Sequence, residues 1–466
     1  MGEPPRDPTP HVEGGDRTFD AIVVGAGLSG LAAARRLVAR GLDVLVVEAR
    51  SRVGGRTLSI EHRGATFDLG GQWVGKAHRR VHALADELGL ERFPQPHAGD
   101  KVLDLGGRIS RYGGAIPSMS ILDLVRTELT MRSIDRMTAR VPEDEPGEAA
   151  EAAQWDATTV AGFQGSLLGR GNAKQLLDVV VRVVFGAEPS ELSLLYFLHY
   201  LRVNGGLRPL VETEGGAQEA RFDRGAQALA LGLVERIGAE RVLCDAPVRA
   251  VRCTESRVIV ETDRGVFSSC RVILATPPHL VGRMRFEPPL PPSRDQFVQR
   301  QPMGSTVKVF AFYRSRTWLE QGLSGEAVVG KGPISVVYDD SSHDGEVACL
   351  LGFVVGRAAR EWTRRSFEER RAFTLAEFER LLGAKASDAV DYLEHDWSSE
   401  PWSGGCPVAL MGPDVMTSLG EELREPIGRV HFAGTETARR FTGYLEGAIE
   451  AAERVTDEVL AALDAE

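Results

Sequence analysis

The feature that most constrains this 466-residue chain is a short apolar run that ends in closely spaced glycines and continues into a helical pattern. Phe19 to Val24 is rich in β-branched residues, and Gly25-Ala26-Gly27-Leu28-Ser29-Gly30 follows directly. In such a strand–turn–helix unit one glycine forms the turn, one lets the backbone approach a pyrophosphate, and one allows close helix packing. The sequence therefore predicts the first unit of a Rossmann-type α/β domain that binds a dinucleotide.

An acidic residue at the end of the next strand supports this interpretation. Asp43 to Val47 is typical of a second strand, and Glu48 ends it about 20 residues after the glycine turn, where such folds place an acceptor for ribose hydroxyls. The alternative is an ordinary glycine turn without a ligand. Because the strand, the helix and the acidic residue all match the dinucleotide-binding pattern, the sequence favours dinucleotide binding.

Two glycine-rich segments follow the second strand. Ala49-Arg50 leads into Gly54-Gly55-Arg56-Thr57, and Asp68-Leu-Gly70-Gly71-Gln72-Trp73 comes next. The first segment is not expected in a simple nicotinamide dehydrogenase. Two glycine-rich loops with no ligand are the alternative.

Three more segments lie near the C-terminus: Trp397-Ser-Ser-Glu-Pro-Trp402-Ser-Gly-Gly-Cys406, Gly434-Thr435-Glu436, and Gly443-Tyr444-Leu445-Glu-Gly-Ala448. Together with the N-terminal segments they resemble the flavin-dependent monoamine oxidase family, and the similarity covers most of residues 18 to 462. The resemblance implies FAD as the cofactor. It places the following residues at FAD: Gly25, Ala26, Gly27, Leu28, Ser29, Gly30, Glu48, Ala49, Arg50, Gly55, Arg56, Thr57, Gly70, Gly71, Gln72, Trp73, Val248, Trp397, Trp402, Cys406, Gly434, Thr435, Glu436, Gly443, Tyr444, Leu445 and Ala448.

The resemblance also implies roles for individual side chains. In that family the cysteine carries the flavin through a thioether, two aromatic residues before it flank the ring, and a tyrosine stands beside the substrate amine. Cys406, the pair Trp397 and Trp402, and Tyr444 occupy those positions here. Gln218 joins Trp402 and Tyr444 as a predicted residue of the substrate pocket.

Lys308 is the candidate for the reactive position. Gln301-Pro-Met-Gly-Ser-Thr-Val-Lys308 resembles the family segment whose lysine holds a water against N5 of the flavin. The chain has six lysines against 49 arginines, so basic side chains are arginine by default. An unpaired ammonium in this apolar run would be costly to bury. The alternative is an edge-strand lysine that points to solvent, which strand alternation permits.

The substrate predicted from the resemblance is an amine without a carboxylate, because Gln72-Trp73 stands where L-amino acid oxidases usually carry an arginine nearby. One departure concerns Pro407, since mammalian-type enzymes have an aromatic residue there that faces the tyrosine. Tyr444 therefore lacks its usual partner, unless Trp402 or a substrate-domain residue fills the space. A larger or differently shaped amine becomes compatible with the site.

The predicted reaction is FAD-dependent oxidation of an amine, with Lys308 and Tyr444 as the catalytic residues. Hydride passes from the amine α-carbon to flavin N5, the imine is hydrolysed to an aldehyde or ketone, and O2 reoxidises the flavin to give hydrogen peroxide. One alternative is a flavin desaturase or dehydrogenase of the wider superfamily, which usually lacks the Cys406 and Lys308 contexts. The other is a non-catalytic flavin-binding interaction protein.

Charge and cysteine usage limit the partners. A net charge of -11 argues against nucleic acid or an anionic membrane. Five widely spaced cysteines form neither a disulfide framework nor a metal motif, which predicts no metal and a cytoplasmic protein.

Residues 1–17 are polar and proline-rich, typical of a disordered leader, and no 18-residue apolar run occurs. The expected partners are a small amine and O2, without a membrane, and a homodimer is left open.

Length predicts two domains, because 466 residues exceed what one hydrophobic core usually supports. The predicted domains interleave along the chain. Residues 18–79, 222–290 and 400–466 form the Rossmann-type FAD-binding domain, and residues 80–221 and 291–399 form an α+β substrate-binding domain. Ligands commonly bind at such an interface.

Periodicity predicts individual elements inside these domains. Predicted helices cover Val81 to Leu90, Ile121 to Arg136, Thr158 to Leu168 after an N-cap at Asp156, and Lys174 to Phe185. Predicted strands include Val307 to Tyr313, Ile334 to Tyr338 and Val347 to Val355.

Overall fold

A computed structural model of the chain describes residues 17–113, 121–167 and 171–465. The predicted leader, apart from Arg17, lies outside the described residues, as does the end of the helix predicted to reach Leu168. The strands in chain order are β1 (Thr18–Val24), β2 (Val44–Val47), β3 (Ser59–His62), β4 (Ala65–Asp68), β5 (Arg92–Pro94), β6 (Asp100–Leu105), β7 (Arg108–Tyr112), β8 (Ala220–Phe222), β9 (Val242–Leu243), β10 (Val248–Cys253), β11 (Val258–Thr262), β12 (Gly265–Leu274), β13 (Arg285–Glu287), β14 (Thr306–Tyr313), β15 (Leu323–Val329), β16 (Ile334–Asp339), β17 (Ala348–Val355), β18 (Ala389–Asp396) and β19 (Val430–Phe432).

Helices surround and connect these strands. In chain order they are α1 (Leu28–Val38), α2 (Arg79–Leu88), α3 (Ile121–Thr138), α4 (Ala152–Asp156), α5 (Val160–Leu167), α6 (Asn172–Phe185), α7 (Leu194–Val203), α8 (Leu207–Val211), α9 (Gln227–Ile237), α10 (Pro278–Val281), α11 (Pro292–Gln299), α12 (Thr317–Glu320), α13 (Arg357–Trp362), α14 (Phe367–Leu382), α15 (Val415–Leu419) and α16 (Leu445–Asp464).

The first large sheet has the order β13-β10-β11-β12-β1-β2-β9, with β19 also paired to β12. Strand β1 runs parallel to both β2 and β12. Strand β2 and most of β1 are buried, which explains their almost continuous apolar sequence, because parallel strands covered on both faces need no polar side. Helices α1, α9 and α16 pack together against this sheet. The predicted Rossmann-type α/β fold class is confirmed.

The second large sheet has the order β18-β14-β17-β16-β15-β6-β7. Strand β14 pairs antiparallel with β17 on one side and with β18 on the other, and all its residues are buried. Strands β6, β7, β15 and β18 belong to this sheet although the sequence analysis did not predict them. Their sequences are charged or contain glycine, and pairing with distant strands decides their conformation.

The helix predicted over Thr158 to Leu168, with an N-cap at Asp156, differs from the structure in detail. Helix α4 ends at Asp156, and α5 begins at Val160. Asp156 is therefore not an N-cap: its Oδ2 accepts hydrogen bonds from the backbone N–H and the hydroxyl of Thr417, both at 2.8 Å. The side chain ties α4 to α15, a tertiary contact that local sequence does not reveal.

The strands of the first sheet fall within 18–79, 222–290 and 400–466, and those of the second within 80–221 and 291–399. The short pair β5 and β8 crosses the boundary drawn at residue 222, so the boundaries themselves stay a prediction. Across the part of the chain that the structure describes, no helix combines the length and the apolar character needed to cross a lipid bilayer.

Candidate active site

A cavity of about 500 Å³ lies between the two large sheets. The end of β1 and the turn after it form one wall, and side chains from β14, β16 and β17 form another. All of the predicted cofactor and substrate positions line this cavity except Ala26, Gly30 and Glu436. Its volume is in the range of small-molecule sites.

The glycine turn after β1 brings the main chain to the cavity. Gly25 has φ +104°, and a Cβ there would come 2.8 Å from the carbonyl oxygen of Ala275. Helix α1 then begins at Leu28 with Gly27 as its N-cap and no side-chain cap. Its first N–H groups therefore remain available to an anion such as a pyrophosphate.

Glu48 closes this end of the cavity. Its Oε2 accepts a hydrogen bond from Ala26 N at 2.7 Å, and its Oε1 accepts one from Arg50 N at 2.9 Å. The residue is 4% exposed. A carboxylate has about four acceptor positions, so it can still accept from ribose hydroxyls while it holds the turn. Ala26 thus lies behind the cavity because its N–H is used by Glu48.

Glu436 lies outside the cavity because it pairs with Arg56. The Arg56 guanidinium donates to Glu436 Oε2 at 2.8 Å and to the carbonyl oxygen of Pro407, also at 2.8 Å. Burial works against the charge of Glu436, but the Arg56 guanidinium outweighs it and holds the pKa of that carboxyl below its usual range. Arg56 thus links the glycine-rich segment after Glu48 to Glu436 and to the loop after Cys406.

The two predicted ring-flanking tryptophans have different surroundings. Trp397 is 1% exposed and donates from Nε1 to the Leu69 carbonyl oxygen at 2.8 Å. Trp402 is half-buried, with the Arg249 guanidinium 5.8 Å from its ring, and its carbonyl oxygen accepts from Arg50 at 3.4 Å. These contacts place Trp402 near Arg50, which follows Glu48 closely in the chain. The assignment of Trp402 to the substrate pocket stays a prediction.

Cys406 lines the cavity as a half-buried free thiol. Gly405 before it has φ +139°, and a Cβ there would come 2.1 Å from the Gly304 carbonyl oxygen. That oxygen also accepts from Cys406 N at 3.0 Å, and Thr306 donates to the Cys406 carbonyl oxygen at 3.2 Å. Burial raises the pKa of the Cys406 thiol to about 12, so the protonated form dominates at neutral pH.

Lys308 is buried on β14, an interior strand next to the edge strand β18 of the second sheet, and it lines the cavity. Its Nζ donates to the carbonyl oxygens of Asp68 and Gly70, each at 2.8 Å, and to Oε1 of Gln72. The alternative of an edge-strand lysine in solvent is wrong, because β14 is an interior strand. Burial lowers the pKa of Lys308 to about 8.

Tyr444 precedes α16 and lines the same cavity. Its ring packs against the imidazole of His78, with centroids 5.4 Å apart. Burial lowers the pKa of His78 to about 4, and Nδ1 of this ring accepts from Gly75 N at 3.0 Å. The neighbour of Tyr444 is therefore a neutral imidazole. Gln218, also on the cavity wall, donates to the Leu210 carbonyl oxygen at 3.2 Å.

Several lining residues were missed by the sequence analysis: Thr306, Tyr200, Tyr338 and Phe353. Thr306 precedes Lys308 by two residues, so strand alternation could have placed both on one face. Phe353 reaches the site because β17 pairs with β14 and sets it opposite Lys308, with Nζ 5.5 Å from its ring. That register is not readable from either strand alone.

The donor set fits FAD. Glu48 and the exposed N–H groups at α1 suit an adenosine ribose and a pyrophosphate, and the glycines that face the cavity leave room for a cofactor beside the main chain. Among the described residues that line the cavity, Glu48 is the only one with a carboxylate side chain. The other end, around Lys308 and Tyr444, is aromatic and apolar.

Comparison with known proteins agrees with this geometry. The family model for flavin containing amine oxidoreductase matches residues 28–460. The probable flavin-containing monoamine oxidase A of Dictyostelium discoideum is 38% identical over 443 residues, which cover 95% of this chain and 97% of that protein. The flavin-containing amine oxidase B of Sus scrofa is 36% identical, with 95% and 86% covered.

Solved structures show the same fold at 31–32% identity. Cyclohexylamine oxidase from Brevibacterium oxydans IH-35A superposes with a TM-score of 0.92, covering 96% of this chain and 100% of that chain. Wild-type putrescine oxidase bound to putrescine gives 0.92, with 96% and 99% covered. These relatives favour amine oxidation over the desaturase and non-catalytic alternatives. The chain therefore belongs to the flavin-containing amine oxidoreductase family, as an FAD-dependent enzyme that oxidises amines.

Proposed function

We propose that this enzyme oxidises an uncharged amine held at the Lys308 and Tyr444 end of the cavity. FAD bound there would supply N5 as the acceptor for a hydride from the amine α-carbon, and O2 would take up the two electrons to give hydrogen peroxide. Loss of the nitrogen proton leaves an imine, which water hydrolyses to an aldehyde or ketone. One observation carries the proposal: a buried, fully hydrogen-bonded lysine shares a cavity with Tyr444, the glycine turn and Glu48.

The surroundings favour the neutral form of the amine. Hydride transfer from the α-carbon needs the nitrogen lone pair, which an ammonium lacks. An aromatic and apolar site disfavours charge, and the nearby Lys308 cation repels a second one. At pH values below about 8 Lys308 is itself charged, so the effect acts near neutrality.

Two phenols form the wall that receives the amine. Tyr200 on α7 lies next to Tyr444: a Cβ on Gly443 would come 2.7 Å from the Tyr200 hydroxyl. Burial raises the pKa of both phenols, so they remain neutral and offer hydrogen bonds and ring faces. We propose that Tyr200 supplies the aromatic partner that Pro407 does not. Gln218, which also lines the cavity, would add an amide to this pocket.

This arrangement predicts a preference for monoamines with apolar substituents. We expect kcat/KM for such amines to exceed that for a diamine by at least about 100-fold, because a second ammonium without a partner costs several kcal/mol. The measurement is steady-state peroxide production with a panel of primary and secondary amines, and the FAD-free protein is the control. Equal or faster oxidation of diamines would contradict the substrate class, and no peroxide with any amine would contradict the function.

We also propose that Cys406 is bonded through sulfur to the 8α-carbon of FAD. Formation of the C–S bond would remove the thiol hydrogen and one 8α C–H hydrogen; the flavin would take up the two electrons, and O2 would then remove them. The position of Gly405 against Gly304 supports this proposal, because it brings the main chain of Cys406 to the cavity wall. The raised pKa of the thiol makes the reaction slow near neutrality.

Acid precipitation should therefore give a yellow protein pellet. The Cys406→Ser variant should release all flavin into the supernatant, because a hydroxyl is a far weaker nucleophile than a thiol. Cys270→Ser is the matched control, since Cys270 is also half-buried but does not line the cavity. A colourless wild-type pellet with all flavin in solution would rule out the thioether.

We further propose that the enzyme is cytoplasmic and works without nucleic acid or a membrane as partner. The net charge of -11 and the scattered cysteines support this location. A homodimer stays open, and sedimentation would decide it.

A further inference from the structure

We propose that Gln72 and Asp340 act as positioning residues for Lys308, as links in a buried hydrogen-bond chain that ends at Arg221. The inference rests on the function proposed above, because it concerns the lysine at the reactive end of the cavity. Lys308 and Gln72 line that cavity, whereas Asp340 and Arg221 lie behind it.

The chain begins at the ammonium group. A lysine ammonium has three N–H donors, and here the protein accepts all three. Two acceptors are the main-chain carbonyls of Asp68 and Gly70, whose positions the backbone determines. The third is the side-chain carbonyl of Gln72. An amide can rotate and exchange its oxygen for its NH2 group, so another group must determine which end faces Lys308.

Asp340 provides that group. Gln72 Nε2 donates to Asp340 Oδ1 at 2.7 Å. A carboxylate accepts hydrogen bonds and cannot donate them, so it keeps the NH2 end of the amide away from the ammonium. If Asp340 became a neutral amide, Gln72 could reverse and direct N–H groups at Lys308. The buried ammonium would then lose an acceptor, which favours its neutral form.

Arg221 holds Asp340 in turn. Its Nη1 donates to Asp340 Oδ1 at 2.8 Å and to the Asp340 carbonyl oxygen at 3.1 Å, while Nη2 donates to the Ser341 carbonyl oxygen at 2.7 Å. Asp340 is 1% and Arg221 5% exposed. A buried carboxylate of this kind needs its cation, so the ion pair stabilises the anionic acceptor that Gln72 requires.

Other groups near Lys308 do not substitute for Asp340. Among the described residues, the titratable and charged side chains that interact with Lys308 include Asp68, Arg221, Asp340, Cys349, His395 and Cys406. Burial raises the pKa of Asp68 to about 6, that of Cys406 to about 12 and that of Cys349 well above its usual value, and it lowers that of His395. Burial also raises the pKa of Asp340, but the Arg221 guanidinium at 2.8 Å opposes this shift and favours the carboxylate. The two aspartates are therefore the anionic groups of this set near pH 8. Of these, Asp340 does most to offset the effect of burial on the pKa of Lys308.

The test is a pH titration of the visible absorption of oxidised FAD in the holoenzyme, without substrate. We expect a spectral transition near pH 8 that Lys308→Met abolishes, which assigns it to this lysine. Asp340→Asn should move the midpoint down by about one pH unit or more, because an adjacent opposite charge is removed. Gln72→Leu should move it in the same direction, because it deletes the link itself.

Asp339→Asn is the matched control. Asp339 is as deeply buried, but its carboxylate accepts from Trp318 Nε1 at 2.8 Å and from Ser341 N at 2.9 Å, outside the chain to Lys308. The midpoint of the spectral transition in Asp339→Asn should equal that of the wild type. Unchanged midpoints in Asp340→Asn and Gln72→Leu, each with FAD bound, would overturn the inference. If Asp340→Asn fails to fold, Gln72→Leu decides alone. A wild type that binds no FAD would instead overturn the proposed function.

Discussion

Replacing Lys308 by methionine should leave FAD bound but slow either flavin reduction by amine or reoxidation by O2 by about 10² to 10³-fold. Methionine has a similar length and no charge, so it removes the ammonium that the site holds in place. Losing one preorganised electrostatic group at a reacting centre typically has an effect of this size, roughly 10² to 10³. Stopped-flow measurement of the two half-reactions separates them.

The control is Lys331→Met, which removes a lysine from an exposed loop. It should behave like the wild type in both half-reactions. Because Lys308→Met leaves two main-chain carbonyls and Gln72 without their donor, flavin content and melting temperature must be recorded beside the rates. Wild-type rates of both half-reactions in Lys308→Met would mean that Lys308 has only a structural role in the β-sheet.

Glu48→Ala should lower the affinity for FAD by at least about 100-fold. The carboxylate holds Ala26 N and Arg50 N and is the proposed acceptor for the ribose, and each hydrogen bond to a charged group contributes about 1.5–3 kcal/mol. Loss of the proposed bonds to two ribose hydroxyls corresponds to roughly two orders of magnitude or more. The measurement is flavin content after purification, followed by titration of the colourless protein with FAD.

Two variants qualify this result. Glu61→Ala removes an exposed glutamate from β3 and should keep full flavin content. Glu48→Gln retains one carbonyl acceptor and should fall between the wild type and Glu48→Ala. Full occupancy and unchanged affinity in Glu48→Ala would remove Glu48 from the ribose site. If Cys406 is bonded to FAD, the affinity must be compared in the Cys406→Ser background.

Where local spacing carries the information, sequence alone was sufficient. Strand β1, the turn at Gly25, helix α1 and Glu48 follow one another within thirty-one residues, and each is determined by its own neighbours. The functional position of Lys308 was predicted from the family spacing of Met303 and Gly304 and not from its apolar flanks, which also permit an exposed edge-strand lysine; the interior position of β14 explains its burial. The family resemblance was confirmed for the same reason, since it rests on contiguous segments.

The wrong or missing predictions all concern contacts between distant segments. Asp156 has the chemistry of an N-cap, yet it bonds to Thr417, 261 residues away. Strands β6 and β15 lack a clear alternating pattern, and they form because they pair with each other across the chain. Local propensity is weaker than such tertiary pairing.

What the sequence by itself determined was the dinucleotide-binding unit, the flavin family and the residue types at the Lys308 and Tyr444 end of the cavity. What only the tertiary structure decided was how those residues meet: Tyr200 beside Tyr444, Phe353 opposite Lys308, and Gln72 between Lys308 and Asp340. The physical reason is that hydrogen-bond partners and strand register depend on the positions of segments up to hundreds of residues apart. Local sequence specifies which groups are able to bond, and folding specifies which of them do.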